Sequence, residues 1–226
     1  MARRSDSPPG SARPLRRDAQ RNRDALLAAA SDAFAREGLN ASLEGIARQA
    51  GLAIGTLYRH FPTRLDLVQQ AFEGKLQTWL AAAQASASAS DPWQGFCGYL
   101  ETLCELQADD SGMNDLASMH LPLPDFVHGK LTRIRELTQT IVDRAHEQGS
   151  LRADVTRQDL AFVMWAHSRV AAATREVAPD AWRRHLYLML DAFGAANASP
   201  LPVPSMTQTE VDRAMMNLGS ANPPAE

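Results

Sequence analysis

Between Ser42 and Phe61 two short amphipathic segments meet at one glycine, and this pair limits the possible fold more than any other stretch of the chain. In Ser42-Leu-Glu-Gly-Ile-Ala-Arg-Gln-Ala-Gly51 the apolar residues Leu43, Ile46, Ala47 and Ala50 fall at i, i+3, i+4 and i+7, the spacing of one helix face. Ser42 supplies an N-cap, Glu44 favours the positive end of the helix dipole, and Gly51 ends the helix in a tight turn. A very short second helix follows, about Ile54 to His60, with Leu57 and Phe61 one turn apart as core anchors. Two short helices joined in this way make a helix-turn-helix, whose second helix can enter the major groove of DNA.

The same helical period runs through the rest. From about Arg17, Leu26, Leu27, Ala30, Ala33 and Phe34 line one side of a helix that Gly38 stops. Thr63-Arg-Leu-Asp66 is a capping-box-like start for a long helix reaching the Ala/Ser stretch at 81–90. Asp91-Pro92 opens a helix to about Leu106, and residues 109–118 read as loop or short helix. Pro122 and Pro124 precede a helix of about Asp125–Gln148, closed by Gly149. Thr156-Arg-Gln-Asp159 is a second capping box, opening a helix through about Val177; Pro179-Asp180 then leads into a last bundle helix to about Ala195. In the Pro-rich tail, Thr209-Glu-Val-Asp212 can cap a short helix with Val211, Ala214, Met215 and Leu218 on one face; otherwise the tail is a tether. No segment carries a convincing strand pattern, so the expected fold is all-α, a three-helix helix-turn-helix unit followed by a larger helical bundle.

Composition narrows the function classes. Apolar residues make up 45% and charged residues 22% of 226, as in ordinary globular proteins. No apolar run approaches the ~18 residues needed to cross a bilayer. The first twenty residues have no apolar core of a secretory signal, so a cytoplasmic protein is expected. Cys97 and Cys104, seven apart on one helix, would lie roughly 10 Å apart, beyond the ~7 Å a disulfide spans. They read as small buried hydrophobes. His120, His128, His146, His167 and His185 have no metal-ligand spacing, so neither metal nor cofactor is expected. Nor is there a Gly-x-Ser-x-Gly elbow, a phosphate-binding glycine loop or a His-Glu-x-x-His helix, so no enzyme activity is expected. The net charge of −3 conceals an asymmetry: residues 1–66 carry +4 and residues 67–226 carry −7. A basic front suits a polyanion.

The wording of the front is specific. Ala25-Leu-Leu-Ala-Ala-Ala, Phe34-Ala-Arg-Glu-Gly38, the segment Ser42–Gly51, and above all Gly55-Thr-Leu-Tyr-Arg-His-Phe-Pro-Thr-Arg64 closely resemble the DNA-binding region of the Tet repressor (TetR) family. Gln148-Gly-Ser-Leu-Arg-Ala-Asp-Val155 looks like part of that family's variable regulatory half. The resemblance implies a basic arm at 1–16, a DNA-binding domain at 17–64, a ligand-binding and dimerisation domain at 65–197 and a tail at 198–226. It also implies contacts. Ser42 and the amides behind it can meet a phosphate, and Gly55 admits backbone close to the duplex. Thr56 can reach a base edge or phosphate, Tyr58 a phosphate or a thymine methyl, and Ile54 a thymine methyl without hydrogen bonding. His60 and Arg64 look like phosphate clamps, with Arg48 a further one, and Arg59 reads guanine or meets backbone. In the arm, Arg13, Arg16, Arg17, Arg21 and Arg23 either track a minor groove or stay disordered.

Two such units related by a two-fold axis would read a palindromic operator, so a homodimer is expected. The resemblance puts the interface on the last two bundle helices, with Phe162, Ala166, Val170, Trp182, Leu186, Met189 and Leu190 as candidates, some as intrachain core. A small-molecule effector is the second expected partner, in an apolar pocket with few polar groups. Candidate lining residues are Phe96, Tyr99, Leu103, Met113, Met119, Phe126, Ile134, Leu137, Ile141, Trp165 and His167. The long helix from Thr63 would transmit its binding. The competing readings are a DNA-binding regulator or architectural protein with no small-molecule response, and an activator in place of a repressor.

Overall fold

The computed structural model describes residues 12–108, 110–118, 125–196 and 198–221. These form ten α-helices: α1 Ala12–Glu37, α2 Leu43–Gln49, α3 Ile54–His60, α4 Arg64–Ala87, α5 Pro92–Ala108, α6 Ser111–Ser118, α7 Asp125–Glu147, α8 Leu160–Thr174, α9 Ala181–Phe193 and α10 Gln208–Ala221. Among the described residues there is no strand, and a lone antiparallel bridge joins Leu151 to Gly194. The all-α fold read from the periodicity is the fold present.

The ends follow the expected chemistry with two corrections and one open stretch now assigned. α1 begins at Ala12, so residues 12–16, expected in a flexible arm, are helical. Pro14 does not oppose this, because an amide in the first turn has no intrahelical acceptor to lose. The tail forms a helix two residues earlier than expected: Thr207 is the cap, and its amide and hydroxyl both donate to Glu210 Oε2, at 2.7 and 2.8 Å. The ambiguous 109–118 stretch is the helix α6, started by Asp110, whose carboxylate accepts from the Met113 amide at 2.8 Å. Both boxes expected upstream are present. Thr63 and Asp66 cap α4 reciprocally, and Asp159 accepts from the amide and hydroxyl of Thr156 in a 3-10 turn, Arg157–Asp159, that feeds α8. The carbonyls at the end of α4 take a cation instead: Arg144 of α7 donates to Ala87 O and Ala89 O, both at 2.7 Å.

Two apolar clusters organise the packing. The first gathers Leu26, Ala30 and Phe34 of α1, Ile46 and Ala47 of α2, Leu57 of α3 and Phe61, and extends into Leu67, Phe72 and Leu76 of α4 and Met113 and Leu116 of α6. The second holds Phe96, Leu100 and Cys104 of α5, Ile141 and Ala145 of α7, Val163 of α8, and Trp182, Leu186 and Leu190 of α9. α6 belongs in sequence to the bundle, yet its Met113 and Leu116 pack in the front cluster. It is fastened there by Asp115 Oδ2, which accepts from the Leu39 amide at 2.8 Å just after α1 ends, and by the ion pair of Lys75 on α4 with Asp110.

Candidate nucleic-acid interface and bundle cavity

α2 and α3 are each seven residues long and hold their angle through the turn between them. Gly51 has φ +71°, the left-handed region where a side chain is strained, and the Leu52 amide reaches back to Ala47 O at 2.9 Å. Leu57 and Phe61 are fully buried, which turns the other face of α3 outward. Tyr58 is 48% exposed, Gly55 and Arg59 are exposed, and Thr56 and His60 are half-buried. Ser42 and Arg48 are exposed on α2 and its cap. Most of the candidate contacts are thus open to solvent in whole or in part.

Three arginines are placed differently from the expectation. Arg64 does not project as a free clamp: its Nη1 donates to Leu39 O and Ala41 O, both at 2.9 Å, bracing the loop between α1 and α2. Arg59 folds back along its own helix, donating to Gly55 O at 3.2 Å and Thr56 Oγ1 at 3.0 Å, and must swing out to read a base. Arg23, assigned to the arm, lies over the Phe61 ring at 5.2 Å. Ile54 packs against the front cluster and is half-buried, leaving only part of its side chain outside. The Ser42 hydroxyl accepts from the Gly45 amide at 3.2 Å and donates to Glu44 Oε2 at 3.2 Å. Gly55 is informative in another way. A Cβ added there would meet nothing within 4 Å, so nothing inside the chain requires its bare backbone.

Behind this front a cavity of about 160 Å³ lies in the bundle. Tyr99, Leu103 and Ile134 line it as expected. The other expected lining residues do not: Phe96, Leu137 and Ile141 are core of the bundle cluster, Met113 is core of the front cluster, and Trp165 packs edge-on against Phe162. His167 is buried edge-on against Trp182, ring centroids 5.2 Å apart, and burial pushes its pKa down to about 4. Met119 and the side chain of Phe126 lie outside the described residues, as do residues 1–11 of the arm. The cavity takes its remaining walls from Trp79, Leu116, His128, Leu131, Arg135, Thr138, Arg157, Gln158, Leu160, Ala161 and Met164, and from Gln208, Val211, Asp212 and Met215 of α10. The stripe Leu131, Ile134, Arg135 and Thr138 at i, i+3, i+4 and i+7 was the sequence signal for the α7 wall. No local pattern points to Arg157, which the capping box conceals. Tyr99 spends its hydroxyl in the wall, accepting from Trp79 Nε1 at 3.0 Å and sharing a 2.7 Å bond with Thr138 Oγ1. Burial pushes the thiols of Cys97 and Cys104 up to about 11 and about 12, so neither is a thiolate near neutrality.

Of the interface candidates, Trp182, Leu186 and Leu190 point into the protomer's own core, because α9 is amphipathic and this is its inward stripe. Phe162 is 51% exposed, with Ala166, Val170 and Met189 partly exposed beside it. Tyr187 and Leu188, exposed on the outer side of α9, were not anticipated. No helix of the described residues is long and apolar enough to cross a membrane, and they contain no cluster of three or more His, Cys, Asp or Glu side chains able to hold a metal.

Comparison with known proteins gives a consistent picture. A family model described as bacterial regulatory proteins, tetR family, matches residues 26–71, and one described as the C-terminal domain of SbtR-like transcriptional regulators matches residues 91–193. An HTH-type transcriptional regulator of Staphylococcus aureus is 36% identical over 67 residues, 29% of this chain and 36% of the relative, so the likeness spans about a third of that protein. Among solved structures, a TetR transcriptional regulator of Streptomyces coelicolor is similar at a TM-score of 0.50 and 27% identity, over 77% of this chain and 99% of that one. A TetR family regulator of Shewanella gives 0.52 and 26%, over 78% and 99%. One from Agrobacterium tumefaciens, at 0.59 and 22%, over 78% and 100%, shares the fold.

Proposed function

The chain belongs to the TetR family of bacterial transcriptional regulators, and on that premise we propose that it is a homodimeric repressor, working in the cytoplasm, that grips a palindromic operator through α3 and releases it when a small molecule fills the bundle cavity. The observation that carries the reading is the division of α3: Leu57 and Phe61 hold it to the core, while Gly55, Tyr58 and Arg59 face out on a backbone whose one bare position serves no internal contact. Gly55 lets α3 approach the duplex; Thr56, Tyr58 and His60 meet phosphates or base edges; Arg59 leaves Thr56 for a base; and Ser42 and Arg48 hold the strand beside α2. Arg64 acts as the brace of this unit.

Residues 17–64 act as the DNA-holding unit, 65–197 as the effector and dimer unit, and 198–226 as a tail that takes part in the effector site. Dimerisation uses the outer face of α8 and α9 at Phe162, Ala166, Val170 and Met189, joined by Tyr187 and Leu188. The cavity favours an effector-released regulator over a purely architectural DNA binder, because it is a concave, mostly apolar site with a few polar side chains, as small-molecule sites are. The test is selection of bound duplexes from genomic fragments by the full chain. Recovery of palindromic sites, lost with Tyr58→Ala although the dimer stays folded, is the expected result; recovery unaffected by Tyr58→Ala and His60→Ala refutes the assignment of α3.

A further inference from the structure

We propose that the bundle cavity accepts a small organic acid, an apolar body about the size of one aromatic ring with its carboxylate seated on Arg157, and that α10 is the movable wall that closes over it. The inference rests on the reading of this cavity as the effector site and adds the chemistry of the ligand and its route of entry.

Size comes first. A cavity near 150 Å³ lined by aliphatic and aromatic side chains holds one benzene ring, and this one is about 160 Å³. Leu103, Ile134, Leu160 and Met164 supply such a lining.

Charge comes second. Arg157 is half-buried in the wall, and its guanidinium is met only by neutral amides: Nη2 donates to Gln208 Oε1 at 2.6 Å and Nε to Gln139 Oε1 at 3.3 Å. No carboxylate lies within ion-pairing distance of it among the described residues. Arg135 lines the same cavity and repels Arg157, while Asp212, hydrogen-bonded from Gln208 Nε2 at 2.7 Å, opposes that repulsion from α10. Two guanidiniums against one carboxylate leave the polar end of the cavity cationic. A half-buried cation with amide partners gains a stronger, charge-assisted bond when an anion replaces them.

The route comes third. The partner the acid would displace, Gln208, is the first residue of α10. Among the described side chains of α10 only Val211 is buried. The segment leading to the helix is tied down by polar bonds, Arg152 Nη2 to Ser199 O at 2.5 Å, the Leu201 amide to Asp154 Oδ2 at 2.8 Å, and Thr156 Oγ1 with Ser205 Oγ at 2.5 Å. A helix with so little buried apolar surface opens at low cost while its tether stays in place.

Calorimetric titration of the full chain with benzoate, phenylacetate, benzyl alcohol and benzylamine tests this. The acids bind, the alcohol binds at least tenfold more weakly and the amine does not bind. Arg157→Met lowers acid affinity at least tenfold without changing that of the alcohol, and Arg157→Lys restores part of it. Hydrogen exchange at the α10 amides slows on acid binding and not with the amine. Equal binding of acid and amine, acid affinity indifferent to Arg157→Met in a folded protein, or no binding of either acid overturns the proposal. The same samples assayed for operator release separate the two readings. An acid that binds through Arg157 and leaves the DNA complex intact defeats the effector reading alone; release by a neutral ligand with no acid bound defeats this one alone.

Discussion

Gly55 separates a structural role from a functional one at a single atom. Since an added Cβ meets nothing within 4 Å, Gly55→Ala should raise helix stability, by up to ~1 kcal/mol, and still weaken operator binding at least about tenfold, the cost of holding the duplex off by one methyl. Thermal melts and fluorescence anisotropy on the same preparations check both halves; a variant that binds as the wild type removes Gly55 from the interface. Gly112 is the opposite case, because a Cβ there would sit 2.6 Å from Phe72 Cζ and 3.0 Å from Phe34 O. Gly112→Ala is expected to cost about 1–3 kcal/mol in urea unfolding. His167 makes a pH prediction. Its pKa is lowered by burial to about 4 in the folded chain, against 6.5 as the ordinary value. Between those two values the unfolded chain binds the proton and the folded one refuses it, so stability is lost as pH falls from about 6.5 towards 4. His167→Phe should flatten that decline in Tm; an unchanged slope would show that the imidazole is already solvated when folded.

At the scale of elements, α6 is where the two halves of the chain meet. Its Leu116 lines the cavity and also packs in the front cluster, its Asp115 holds the Leu39 amide, and its Asp110 pairs with Lys75 on α4. On the proposed reading, a ligand that displaced Leu116 would push on the end of α1 through Asp115 and on α4 through Asp110. Asp115→Ala should cost about 1–3 kcal/mol by orphaning a part-buried amide, and should reduce the ligand-induced loss of operator affinity, measured by titrating the complex with effector. Full response with the bond removed would assign the transmission to α4 alone. These contacts were not legible beforehand. Residues 109–118 carry too few apolar positions for their period to be read, and neither Leu39 nor Asp115 announces a partner 76 residues away.

For the whole molecule, binding to DNA is expected to fall by orders of magnitude between about 50 and 200 mM salt if roughly six or more phosphates are neutralised by the dimer, and a flat response would contradict the basic front. Phe162→Glu should yield monomers in sedimentation and, with them, the loss of tight operator binding. What the sequence alone determined was most of the helices, the caps at Ser42, Thr63 and Thr156 and the identity of the helix-turn-helix unit, because these depend on residues within a turn or two of one another: Ser42 with Gly45, Thr63 with Asp66, Leu57 with Phe61. What only the tertiary structure decided was which apolar stripe faces a void, a neighbour or solvent. Leu137 and Leu131 look alike in sequence, yet one is core and the other lines the cavity. Trp182 and Phe162 both read as interface, yet one is buried within the protomer. Arg157 and Arg64 acquire their surroundings from Gln208 and Leu39, far along the chain. Periodicity records that a face is buried, whereas the partner that buries it is set by how ten helices divide one interior between them.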